Sequence, residues 1–269
     1  VAVGSQVQGL AVGDRVATLF FPHWQSGKPD ARALSDARGA ESAGAFTEHF
    51  VSDERGLIKL PDGLSYAEGA TLPCAAVTAW NSLFEAGDLK PGQTVLLLGT
   101  GGVSIFALQF AKAAGAKVII TSSDDAKLER ARVLGADHGI NYRRHPEWHE
   151  EVLRLTGGQG VDVVLEVGGP GTLERSLMSV ATGGRIAYIG VLTGLAGAAN
   201  PVMLIPKASS IQGIFVGSRA MFADMLAAIQ THVIHPVIDR EFAFADAPAA
   251  LEYMKSGSHF GKVVVRVGD

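Results

Sequence analysis

The sequence predicts an α/β protein, with a doubly wound parallel sheet joined to a region of short strands. Three observations carry that expectation. From Thr94 to Val216, short β-branched runs alternate with amphipathic stretches of helical period. A glycine-rich turn, Gly99-Thr100-Gly101-Gly102-Val103-Ser104, falls between the first of those strands and its helix. Before Pro61, strand candidates are separated by Gly-Asp and Gly-Lys-Pro punctuation, with no helical period between them.

Taken in order, Val1–Val3, Arg15–Phe20, Ala45–Val51 and Leu57–Leu60 read as short strands, and the small, polar stretch from Gly27 to Ala43 reads as a loop. Pro61-Asp62-Gly63 is a turn. Ser65 with Glu68 three residues on spells a capping box, which starts a helix leading into TLPCAAVTAWNSLFEAG. After Pro91-Gly92 the alternation begins. Strands are expected at Thr94–Leu98, Lys117–Ile120, Gly139–Asn141, Asp162–Glu166, Arg185–Ile189 and Ile211–Val216. Between them helices are expected at Val103–Ala114, Asp124–Leu134, around Trp148–Leu155, and at Thr172–Ala181. Two more helices follow, near Met221–Gln230 and Pro248–Ser256. A last strand, Lys262–Val267, is expected to pair with the β-rich beginning of the chain.

Composition narrows the function classes. With 269 residues, 47% of them hydrophobic, the chain can bury a core, which excludes global disorder. A net charge of -4 and only small basic clusters such as Arg143-Arg144 argue against nucleic acid as a partner. The single cysteine, Cys74, excludes an internal disulfide framework and fits a reducing compartment, the cytoplasm. The uncharged stretch from Ile186 to Pro206 is interrupted by glycines and prolines, so it reads as strand and loop rather than a membrane span. The chain opens on Val1 with no basic leader, in what reads as the middle of a β region, so a further N-terminal segment is expected.

The glycine turn carries the chemistry. Gly99 suits a tight turn, and Gly101 and Gly102 let backbone approach a pyrophosphate. The helix beginning at Val103 then offers free N–H groups and the positive end of its dipole. Ser104 replaces the third fingerprint glycine and is small enough for close packing. The end of the second strand selects the dinucleotide. An NAD site wants an acid there for the ribose hydroxyl, whereas this sequence has Thr121-Ser122-Ser123. Ser123, Lys127 and Tyr142 can converge on a 2′-phosphate, a charge-assisted lysine contact of this kind being worth about 1.5–3 kcal/mol. Asp124 and Asp125 read as first-turn acids favoured by the helix dipole and pointing away from the ligand, and Lys127 could instead lie on a solvated face.

At these residues the sequence resembles the medium-chain dehydrogenase/reductase superfamily, and within it the zinc-independent, quinone-oxidoreductase-like branch. The stretches PDGLSYAEGATLPCAAVTAW, LLLGTGGVS, LGADHGINYR, VDVVLEVGGPGTL, GGRIAYIG and HFGKVVVRV carry the resemblance. It implies a Rossmann lobe at 71–219 and a partial GroES-like lobe formed by 1–70 and 220–269, with NADP(H) in the cleft. It implies that Thr78 lies beside the nicotinamide, and that Ser123, Lys127 and Tyr142 hold the 2′-phosphate. Val167 and Gly168 would lie under the riboses, and Phe215, Val216 and Gly217 at the nicotinamide amide. Lys262 matches a cofactor-side basic position. The strand at Ile211–Val216 resembles the edge that pairs across a two-fold, so a homodimer is expected.

A metal is not expected. The polar loop lacks the four cysteines of a structural zinc site, and Cys74 alone cannot build a tetrahedral one. His145 and His149 have i,i+4 spacing, but Pro146 marks a helix start. No catalytic proton donor is assigned; His23 and His49 lie in the lobe that should face substrate. The expected reaction is hydride transfer between NADP(H) and a small apolar carbonyl, enone or quinone. Three rivals remain open: a zinc alcohol dehydrogenase completed by residues outside this chain, a non-catalytic NADPH-binding sensor or structural protein, and a methyltransferase-type domain. The acid-free end of the second strand disfavours the last.

Overall fold

Strand β1 (Val16–Thr18) pairs antiparallel with β2 (Leu57–Lys59) in the structure, a computed structural model that describes residues 2–268. Helix α1 (Tyr66–Ala70) starts at the capping box expected of Ser65 and Glu68. The Ser65 hydroxyl accepts from the Glu68 N–H at 3.2 Å, and the Glu68 carboxylate accepts from the Ser65 N–H at 2.7 Å. The chain then winds through a π turn at Leu72–Ala76, a short α2 (Val77–Trp80) and a second π turn at Asn81–Glu85.

Two units pack by themselves: the described residues up to Val77 with those from Val216 onward, and Thr78–Phe215. The second unit holds a six-stranded, all-parallel sheet. Its strands are β3 (Thr94–Leu97), β4 (Lys117–Ser122), β5 (His138–Asn141), β6 (Val161–Glu166), β7 (Val180–Tyr188) and β8 (Ser210–Gly213). The spatial order is β5-β4-β3-β6-β7-β8. Helices α3 (Gly102–Ala113), α4 (Asp125–Val133), α5 (Trp148–Leu155) and α6 (Pro170–Ser179) make the crossovers. The central strands are buried on both faces, which explains their unbroken apolar runs. Leu96, Ile119, Val164 and Ile186, one from each of four neighbouring strands, share a core with Trp148 and Val152 of α5. The strand order reverses between β3 and β6, and in open parallel sheets the carboxyl ends of the strands at such a reversal are where ligands bind.

The other unit continues with α7 (Arg219–Thr231), β9 (Ile238–Ala243), α8 (Ala247–Lys255) and β10 (Lys262–Arg266). Its two chain segments are joined at the start of α7. The Arg219 N–H donates to the Trp24 carbonyl at 2.9 Å, and its guanidinium donates to the carbonyls of Arg55 and Leu57.

Three expectations are corrected here. β10 pairs in parallel with β9, not with the beginning of the chain. The acid–base run Asp239-Arg240-Glu241 breaks up the apolar alternation of β9, which hides it in the sequence. Ala45–Val51 forms no strand, and its aromatic residues Phe46 and Phe50 are exposed. Of the strand expected at Val1–Val3, Val1 lies outside the described residues, and Ala2 and Val3 are not in a strand. Among the described residues no helix is long and apolar enough to cross a membrane.

Candidate cofactor site

The glycine turn lies at the carboxyl end of β3, at the strand-order reversal. Gly99 has φ +72°, in the left-handed region, which only glycine enters without cost. Its N–H donates to the buried Thr121 hydroxyl at 3.1 Å, so the turn is fastened to the next strand. Gly101 precedes α3 in extended conformation and offers the helix no side-chain cap. A Cβ at Gly99 or Gly101 would meet no atom of its unit within 4 Å. The small residues therefore face open space, not packing, and the first N–H groups of α3, at Gly102 and Val103, are available to an anion there. Ser104 is buried and donates to the Leu98 carbonyl at 2.7 Å, so it packs the helix against the strand as its size suggested.

At the end of β4 the three hydroxyls separate. Thr121 and Ser122 are buried. The first accepts from Gly99, and the second accepts from the Asp124 N–H at 3.3 Å. Ser123 alone is partly exposed. Asp124 caps α4, accepting from the Lys127 N–H at 3.1 Å. Asp125 accepts from the Asn141 amide at 2.8 Å and from the Arg144 guanidinium. The Asn141 hydrogen bond, aided by Arg144, holds the Asp125 carboxyl below the ordinary aspartate range against the opposing effect of desolvation. Tyr142 is exposed, and its N–H donates to the Ser122 carbonyl at 3.0 Å. Ser123, Lys127 and Tyr142 thus stand at the adjoining ends of β4, α4 and β5.

At the end of β6 is a residue that sequence reasoning missed. Glu166 is fully buried. Its Oε1 accepts from the Gly168 N–H at 2.7 Å, the Gly169 N–H at 2.9 Å and the Thr172 hydroxyl at 2.6 Å. Its other oxygen accepts from Ser176. This carboxylate sets the path of Val167 and Gly168. The signal was present, because an acid interrupts an otherwise apolar strand end in VDVVLEVGG.

The remaining expected residues are placed as follows. Thr78 is buried on α2 between the π turns, and its carbonyl accepts from the Ser82 hydroxyl at 2.7 Å. Phe215 is exposed. Val216, Gly217 and Lys262 belong to the other unit. Val216 is buried with φ +58°, a strained conformation for a β-branched residue. Lys262 lies on β10, where burial pushes its ammonium below the ordinary lysine range, partly offset by Cys74.

Against this geometry the similarities to known proteins fall into place. A family described as zinc-binding dehydrogenase matches residues 102–231. A zinc-type alcohol dehydrogenase-like protein of Schizosaccharomyces pombe is 46% identical over 98% of this chain and 78% of its own length. The chain belongs to the medium-chain dehydrogenase/reductase superfamily. Among solved members, an NAD-dependent alcohol dehydrogenase is 34% identical with a TM-score of 0.89, over 99% of this chain and 80% of that one. A quinone oxidoreductase of Pseudomonas syringae is 30% identical with a TM-score of 0.81, over 99% of this chain and 78% of that one. Cys74 is the one cysteine, and among the described residues no three His, Cys, Asp or Glu side chains group as a metal set. The residues do fit a dinucleotide, given the open Gly99–Gly101 turn and the uncapped start of α3.

Proposed function

We propose that this member of the superfamily is an NADP(H)-dependent oxidoreductase that works without zinc on a small apolar carbonyl, enone or quinone. The observation that carries the cofactor choice is the acid-free end of β4. Ser123 stands where an NAD site places a carboxylate, and the two neighbouring acids are engaged, Asp124 as a helix cap and Asp125 with Asn141 and Arg144. Lys127 and Tyr142 supply an ammonium and a phenol for the 2′-phosphate. Gly101, Gly102 and the first turn of α3 hold the pyrophosphate. Val167 and Gly168, shaped by Glu166, support the riboses. Thr78 and Phe215, of the same unit as the glycine turn, border the nicotinamide.

When bound, the cofactor supplies or accepts hydride at C4 of its nicotinamide. The chain's part is to hold that ring and exclude water. The segment after β7 suits the second task, with Val191, Leu192, Leu195, Val202 and Ile205 exposed along it. Without a metal, a hydrogen-bond donor or water must meet the negative charge on the acceptor, which favours substrates whose enolate or hydroquinone is delocalised. The exposed edge strand β8 suits pairing with a second copy, giving a homodimer.

The test is a titration of NADPH and NADH. NADPH should bind more tightly, and Lys127→Ala should weaken NADPH about tenfold while sparing NADH. Equal losses for both nucleotides would remove the 2′-phosphate role. A zinc-type reading is favoured by the names of the family and of the yeast relative, and stoichiometric zinc in purified protein would decide for it.

A further inference from the structure

The acid that should oppose NADP(H) is Asp125. It opens α4 two residues after Ser123, close to where the 2′-phosphate would lie. Asn141 and Arg144 both turn donors onto the same oxygen, Oδ1. This arrangement is held in place from behind. Asn141 is buried, and its side-chain oxygen accepts from the Arg143 N–H at 3.0 Å, which fixes the amide orientation. Its carbonyl accepts from the N–H groups of Arg144 at 3.1 Å and His145 at 2.9 Å, which curls the chain after β5 toward α4.

Both partners of the Asp125–Arg144 pair are largely exposed, so the pair contributes little to folding. Its consequence is electrostatic and falls on a ligand. A carboxylate at this edge of the site accepts from ribose hydroxyls and repels an added phosphate, the behaviour of an NAD-selecting acid. A guanidinium against it cancels that repulsion.

We propose that Arg144 is a specificity-determining residue of the dinucleotide site, which neutralises Asp125 and thereby lets the site accept the 2′-phosphate of NADP(H). The inference rests on the cofactor reading above. It makes Arg144 act through Asp125, not as one more phosphate ligand, so its removal is repaired by removing the acid.

The experiment measures dissociation constants of NADPH and NADH for the full chain and for Arg144→Ala, Asp125→Asn, the double variant and Lys127→Ala. Arg144→Ala should weaken NADPH about five- to tenfold and leave NADH within about twofold. Its thermal midpoint should stay at the wild-type value, because the pair is exposed. The double variant should regain NADPH affinity to within about twofold of wild type. A double variant as weak as Arg144→Ala overturns the proposal, because Arg144 would then act on the phosphate directly. Equal losses of NADPH and NADH in Arg144→Ala also overturn it. If wild type prefers NADPH and responds to Lys127→Ala but not to Arg144→Ala, the role of Arg144 falls and the cofactor reading stands. If wild type shows no preference and ignores Lys127→Ala, the cofactor reading itself falls.

Discussion

Thr193 is bonded twice to Gly168: its N–H at 2.8 Å and its hydroxyl at 2.9 Å both donate to the Gly168 carbonyl. The same hydroxyl accepts from the Gly171 N–H at 2.9 Å. One threonine therefore fastens the loop after β7 to the turn after β6, at the carboxyl ends of neighbouring strands. Thr193→Ala should lose about 1–2 kcal/mol of stability, two hydrogen bonds at a net of about 1 kcal/mol or less each. It should also weaken NADPH about three- to tenfold by freeing the Val167–Gly168 backbone, proposed above to support the riboses. Thr193→Ser keeps the hydroxyl and should restore both. Denaturant unfolding and nucleotide titration check this. A stability loss with unchanged affinity would place the loop outside the cofactor's reach.

Glu166 sits on the other side of the same turn. In Glu166→Ala the Gly168 and Gly169 N–H groups lose their acceptor and a cavity opens. The expected cost is about 3–5 kcal/mol. Glu166→Gln keeps one acceptor oxygen for those N–H groups, and its amide can donate to the rotatable Ser176 hydroxyl, so about 1–2 kcal/mol should be lost. Equal losses on chemical unfolding would mean that volume, not hydrogen bonding, is what this side chain supplies.

The glycines at the end of β3 should separate folding from binding. Gly99→Ala forces a left-handed alanine and should destabilise by about 1–2 kcal/mol as well as weaken the nucleotide. Gly101 has φ -78°, which alanine adopts freely, and the added methyl would project into open space. Gly101→Ala should unfold within about 0.5 kcal/mol of wild type, as a substitution free of strain does, yet bind NADPH at least about tenfold less tightly. A Gly101→Ala protein with normal affinity would show that no ligand approaches this turn.

Periodicity and composition made the sheet legible, because β3, β4 and β6 carry apolar runs at Val95–Leu97, Val118–Ile120 and Val163–Leu165 and turn residues stand at the boundaries. The capping box at Ser65 was legible for a similar reason, since both halves of the reciprocal bond are local. Long-range pairing was not. β9 carries charges on successive residues, and nothing in its pattern says that β10 lies beside it. The cofactor site divides along the same line. The glycine turn and the hydroxyls of 121–123 could be read from spacing, but which hydroxyls remain outside depends on Thr121 meeting Gly99 across two strands. Glu166 owes its importance to the turn and helix that follow its own strand, and Arg144 to Asp125, 19 residues away, which it meets only when β4 and β5 align.

Val233 gives a test of stability apart from the cofactor. Helix α7 ends in a Schellman arrangement, in which the Ile234 N–H donates to the Ile229 carbonyl at 2.9 Å and the Val233 N–H points to the Gln230 carbonyl at 3.4 Å. Ile229 and Ile234 are both buried, the apolar pair that accompanies this motif. The position between them must be left-handed, and Val233 takes φ +50° while the residue is 73% exposed. The strain of a β-branched residue there is thus not offset by burial. Val233→Gly should raise stability by about 1 kcal/mol, the left-handed penalty less glycine's greater freedom in the unfolded chain. For a protein of this size that is a rise of roughly 2–4 °C in Tm. Val233→Ala relieves only the branching and should gain less. A Val233→Gly protein no more stable than wild type in thermal unfolding would show that the helix end relaxes in solution and stores no strain at this residue.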